Sequence, residues 1–189
     1  MDIGTGAGLA GSAGIRPFLP PLLTGALARG DIGIDFSGTD WSFLESPVFL
    51  FAILLLAVAW YMAERSGAND RLMGRLGLLL SVALGALLFA GALADGGNSG
   101  IPGLVAGAAC AALAYVAVFS LLTRAARRLD GDAAAGLLIV YADAAALILA
   151  AIAIFVPPVS FLALIAFAFV LVRGRAAADR KYAGLRILR

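Results

Sequence analysis

Histidine is missing from this sequence, cysteine occurs once, and charged residues make up only 14% of its 189 residues. Without histidine there is no His-bearing zinc site, no HExxH helix and no Ser-His dyad, and a lone cysteine builds neither a thiolate metal centre nor an intrachain disulfide. Cys110 lies in an apolar run and reads as a small packing residue. No catalytic group, cofactor or metal is therefore expected. Polar sequence is scarce as well: the longest such stretch, 29–46, is shorter than any self-supporting core, which excludes a separate soluble domain. No Lys or Arg precedes Arg16, and Asp2 is acidic, so the start has the wrong charge for a cleavable signal peptide and is expected to be retained.

What is abundant is apolar sequence. Hydrophobic residues make up 62% of the chain and the mean hydropathy is +1.00, more than a water-soluble protein of this size can bury. A hydrocarbon core of about 30 Å needs roughly 20 apolar residues in a helix, and runs of that order recur between short polar breaks. The predicted spans are 7–28, 47–63, 76–94, 101–122, 133–156 and 158–172, with breaks at GDIGIDFSGTDW, ERSGANDR, DGGNSGIPG, TRAARRLDGD and Pro157-Pro158. The runs are uniformly rich in Ala, Leu and Gly, which favours helices over the alternating strands of a barrel. The fold expected is an all-α integral membrane protein of six transmembrane helices in a single membrane domain, with a basic tail at 174–189.

Orientation follows from Lys and Arg in short loops. Arg65, Arg71 and Arg75 follow the second span, Arg124, Arg127 and Arg128 the fourth, and Arg173, Arg175, Arg180, Lys181, Arg186 and Arg189 the sixth. The alternate loops carry Asp31, Asp35, Asp40, Glu45 and Asp95, with Arg29 at a boundary. Both termini are thus expected in the cytoplasm, with the chain in the inner (plasma) membrane. The basic residues flank spans, so they read as orientation signals and not as a nucleic-acid surface. Trp41, Phe43, Trp60 and Tyr61 fit interfacial anchors.

Sliding the chain by 99 residues sets AGLAGSAGIRPFLPPLLTGALARG, from Ala7, on AGAACAALAYVAVFSLLTRAARRL, from Ala106, with nine of 24 positions identical. Two halves, 1–95 and 100–173, would each hold three spans and so enter the membrane in opposite directions, as in many secondary transporters. The first span carries Pro17, Pro20 and Pro21 and is expected to be kinked or broken there.

Two ionisable side chains fall deep inside the expected spans, Arg16 and Asp143, and each requires a partner or a watery cavity. Counted from the cytoplasmic side they lie about 14 and 15 Å deep, so they are expected to face each other. Tyr141 and Tyr115, with Ser120 and Thr123, could add polar lining. A buried Arg beside a broken helix suits an anionic group. The opening GTGAGLAG lacks a βαβ context and is not a dinucleotide loop. Asp130 and Asp132 read as a solvated turn.

The segments GLAGSAGIRPFLPPLLTGALARG, SPVFLFAILLLAVAWYMAE and YADAAALILAAIAIFVPP resemble a bacterial family of small multi-pass membrane proteins known as domain of unknown function 4126. The resemblance implies the Gly-Ile-Arg opening, here Gly14, Ile15 and Arg16, and an acidic residue in the fifth span, here Asp143. It also implies a glutamate ahead of an Asp-Lys pair near the end of the second span. This sequence departs there, with Trp60 at the first position and Glu64-Arg65 at the second. No activity follows from the family.

The function expected is that of a transporter-like or flippase-like protein, not an enzyme, taking a small or lipid-linked anionic substrate at Arg16, Asp143, Tyr141 and Tyr115. The alternative is a structural or regulatory membrane subunit. An intramembrane enzyme would need a second carboxylate near Asp143, for which Glu64 is the only candidate. The partners expected are the lipid bilayer and a second copy of the chain, since small-residue faces favour close helix approach.

Overall fold

The computed structural model of this chain describes residues 2–66, 70–126 and 132–183. Seven helices occur among them and no strand: α1 (Asp2–Ile15), α2 (Leu19–Arg29), α3 (Pro47–Arg65), α4 (Asp70–Asp95), α5 (Ile101–Ala126), α6 (Asp132–Phe155) and α7 (Val159–Ala183), with a 3-10 turn at Ser42–Glu45. Four of them are long and apolar enough to cross a membrane, at Pro47–Arg65, Arg71–Asp95, Ile101–Ala125 and Gly136–Phe155. The apolar part of α7, Val159–Gly174, is shorter. Arg127, Arg128, Asp130, Arg186 and Arg189 lie outside the described residues, as do the side chains of Asp132, Arg175, Arg180 and Lys181.

The expected first span is not one crossing. Pro17 disfavours helical backbone at the residue before it, and α1 ends at Ile15, although the Arg16 amide still donates to the Ser12 carbonyl. Pro20 and Pro21 do not break a helix; they sit in the first turn of α2, where a missing N–H costs nothing. Neighbours along both helices give their directions. In α1, Gly4 lies against Pro157, Gly8 against Ala153 and Ser160, Gly11 near Leu149 and Leu164, and Gly14 against Ala111 and Ala114. In α2, Phe18 meets Trp60, whereas Gly25 meets Leu44 and Leu50. So α1 runs antiparallel to α4 and α6, and α2 returns antiparallel to α3. The two form a helical hairpin that enters and leaves at one end of the bundle, with Arg16, Pro17 and Phe18 at its tip.

Three expectations are corrected by this hairpin. The six crossings become a hairpin and five long helices. Asp2 lies at the end of the α4–α5 connection, where Asn98 Nδ2 donates to its carboxylate at 3.4 Å, while α7 runs from Pro158 towards the opposite end and brings Gly174 against Arg124. The two ends of the described chain therefore lie at opposite ends of the bundle, whereas the expected orientation put both termini on one side. The proposed inverted repeat also fails. Its first member doubles back as α1 and α2, whereas its second is the single helix α5, so 1–95 starts and finishes at one end and 100–173 does not.

The hairpin is also the core. Leu9, Ala10 and Ala13 are completely buried, and Gly and Ala along α1 let four helices close around it. At the Asp2 end the connection between α2 and α3 folds inward: Phe36 and Leu44 are buried against Gly91, and Glu45 accepts from the Phe36 amide at 3.4 Å and the Ser37 hydroxyl at 3.0 Å. Beside them Asp35 accepts from Ser37, which holds its carboxyl below the usual carboxylate range. Trp41 and Phe43, their rings 6.1 Å apart, sit at this end.

Candidate functional site

The break at Pro17 leaves Arg16 just beyond the C-terminal, electronegative end of α1, a favourable place for a cation. Two helices present carboxylates to it. Arg16 Nη1 donates to Glu64 Oε1 at 3.1 Å, and Arg16 Nε lies 2.7 Å from Asp143 Oδ1. The second contact is a charge contact without hydrogen-bond alignment. The side chains of Arg16, Glu64 and Asp143 are 13%, 27% and 20% exposed, so the ions are largely withdrawn from their surroundings.

Aromatic donors complete the set. Tyr61 donates to Asp143 Oδ2 at 2.6 Å, and its ring lies 5.7 Å from the Arg16 guanidinium carbon. The Trp60 indole donates to Glu64 Oε1 at 3.0 Å and packs on Phe18, ring centres 5.8 Å apart. Trp60, Tyr61 and Glu64 share one face of α3 because residues three and four apart are helix neighbours. They act here as ligands of the cluster and not as interfacial anchors.

Depth follows from helix geometry. At about 1.5 Å per residue, Arg16 lies roughly 21 Å from Asp2, Asp143 roughly 18 Å from Phe155 and Glu64 roughly 26 Å from Pro47. All three are measured from the Asp2 end, so the cluster occupies the far half of the bundle, towards Arg65. Two clefts, of about 490 and 460 Å³, open at the Asp2 end beside Pro157 and beside Arg29, and neither reaches Arg16.

Of the expected site residues, Arg16 and Asp143 come together. Tyr115 stays nearby but donates to the Gly74 carbonyl at 2.7 Å. Tyr141 is 71% exposed and takes no part in the cluster. Ser120 and Thr123 bond back to carbonyls of their own helix, those of Ala117 and Phe119. Glu64, the candidate second carboxylate that was not counted among the expected binding residues, stands beside Asp143 on Arg16. Among the described residues no group of acidic, cysteine or histidine side chains is arranged to hold a metal ion.

A family model described as a domain of unknown function (DUF4126) matches residues 3–176. The chain belongs to that family. No curated protein and no solved structure matches it. The DUF4126 match takes in the hairpin, the cluster and all but the last turns of α7, so Arg16, Glu64 and Asp143 all lie inside it. The Gly-Ile-Arg opening and the acidic residue of α6, singled out by the resemblance, meet at one ion pair.

Proposed function

We propose that this protein is a transporter-like or flippase-like protein of the plasma membrane that takes a small or lipid-linked anionic group at Arg16. The observation that supports this most is a guanidinium at the tip of a hairpin ending inside the membrane, beside interrupted backbone. Glu64 and Asp143 hold the Arg16 guanidinium in place. An arriving carboxylate or phosphate would compete with them for its N–H donors.

Arg65, Arg71, Arg75, Arg124 and Arg173 gather at the end away from Asp2, so positive charge assigns that end to the cytoplasm and Asp2 to the opposite face. The cluster then opens towards the cytoplasm. In a Cys110→Ala background, cysteines placed at Ile3 and Ser99 are expected to react with an impermeant maleimide from the same side, and one at Ser66 from the other. Reaction of Ile3→Cys together with Ser66→Cys would instead restore a single crossing for the first segment.

The test of function uses the full chain in vesicles of phosphatidylcholine and phosphatidylglycerol. Fluorescent phosphatidylglycerol should exchange between leaflets, or phosphate should enter, and Arg16→Gln should abolish the movement while the protein stays folded. If neither probe moves or binds, the second reading takes over: a structural or regulatory subunit. One observation favours that reading specifically. α3 turns Val48, Phe51, Leu55 and Met62 outward, and the links through Trp60, Tyr61 and Glu64 fasten it to the hairpin and α6.

A further inference from the structure

The two carboxylates of the cluster are not equivalent. One guanidinium faces both, so with both ionised the charges sum to −1. On Asp143 the Tyr61 hydroxyl donates to Oδ2 at 2.6 Å; Oδ1 is, like Glu64 Oε2, buried without a hydrogen bond, but it stands 2.7 Å from the Arg16 Nε, a cation that repels an added proton there. On Glu64 the Arg16 and Trp60 donors converge on Oε1, while Oε2 is buried with no hydrogen-bond partner. A buried oxygen of a charged carboxylate without a donor is costly, and adding a proton there removes the charge without displacing an existing bond.

We propose that Glu64 is the proton-binding member of the cluster and the exchangeable ligand of Arg16. One proton from water binds Oε2, the carboxylate becomes a neutral acid, the sum rises from −1 to 0, and the hold of Glu64 on Arg16 weakens. Arg16 keeps its proton and its contact with Asp143, and its freed donors face the cytoplasmic half of the membrane. The inference rests on taking this cluster as the working centre, and it couples arrival of an anion at Arg16 to uptake of one proton at Glu64.

The charged and titratable groups around Glu64 are Arg16 on the hairpin, Asp143 on α6, Tyr61 on α3 and Tyr115 on α5. On α4, Gly74 and Gly77 stand at this level with Arg75 between them in sequence, and Arg71 is nearer the helix start. Of these groups Asp143 is the other carboxylate, and Glu64 lies nearer the cytoplasmic end of its helix, within easier reach of a proton from that side.

A hydrophobic carbodiimide, which attacks protonated carboxyls within membranes, tests this on the full chain in phosphatidylcholine vesicles, with labelled positions read by peptide mass spectrometry. Between about pH 8 and about pH 5, labelling of Glu64 should rise several-fold and exceed that of Asp143. It should vanish in Glu64→Gln and persist in Asp143→Asn. In Arg16→Ala, where the countercharge is gone, Glu64 should label several-fold more at neutral pH. Preferential labelling of Asp143, or no labelling of Glu64 in either the parent or Arg16→Ala, overturns the proposal. A negative result would leave an anion site at Arg16 standing, because leaflet exchange and phosphate entry are measured separately. Labelling of Glu64 supports proton binding whether or not an anion is carried.

Discussion

Arg16→Ala is expected to destabilise the protein more than loss of either carboxylate, by about 3–5 kcal/mol, because it leaves two partly buried anions facing each other without a cation. Asp143→Asn should cost less, about 1–2 kcal/mol, since Arg16 keeps Glu64 and the Tyr61 hydroxyl still finds an amide oxygen. The order comes from charge counting at the tip: removing the single cation changes the sum from −1 to −2, and removing one anion changes it to 0. The double variant Arg16→Ala/Asp143→Ala leaves one lone carboxylate and should recover part of the loss. Thermal unfolding in detergent, with all variants at one pH, checks the series. Equal stability of Arg16→Ala and the parent would mean that water already solvates the cluster, contrary to its low exposure.

The five long helices were legible in the sequence because hydropathy counts apolar length, and their breaks fall where polar and turn-forming residues stand. Direction is another matter. A stretch of 22 apolar residues looks the same whether it crosses once or turns back at its middle, and here only three residues, Arg16, Pro17 and Phe18, make the turn. One signal was present and was not used. The helix ends near Arg65 and Arg124 carry clusters of Arg, whereas residues 2–15 carry neither Lys nor Arg and include Asp2.

The meeting of Arg16 with Asp143 follows in the sequence from equal depths counted from one side, yet α1 starts at the end of the bundle where α6 finishes. The match survived the reversal because both residues lie near the middle of their segments, where counting from either end gives similar depths. Tyr141 failed for a geometric reason. Two residues from Asp143 on a helix is about 200° of rotation, which turns it to the opposite face. Glu64 stands next to the last residue of α3, away from the midplane at which equal depths set the site. The hairpin carries Arg16 past the middle, to the level where Glu64 and Tyr61 reach it.

The remaining large effect concerns how tightly the hairpin is held. A Cβ on Gly8 would collide with the Ser160 and Ala153 side chains, and one on Gly14 would stand 2.5 Å from the Ala111 carbonyl oxygen and 2.6 Å from Ala114 Cβ. Backbone and alanine atoms cannot rotate away, so Gly8→Ala and Gly14→Ala are each expected to lose about 2–3 kcal/mol. That loss should appear despite the higher helix propensity of alanine, worth about 1 kcal/mol in its favour. Gly11 provides the contrast on the same helix. Its added methyl would meet Phe167 at 3.6 Å and Leu164 at 3.7 Å, ordinary contact distances, so Gly11→Ala should be neutral or stabilising. Gly14→Ala has a further consequence, because pushing α5 from the end of α1 moves Arg16 relative to Glu64 and Asp143 and should weaken the Arg16 pairing measured by the charge series. Thermal unfolding of the three variants decides it: equal gains at all three glycines would reflect α1 helix propensity alone, whereas a loss at Gly8 and Gly14 with none at Gly11 requires α1 to be packed among α4, α5, α6 and α7.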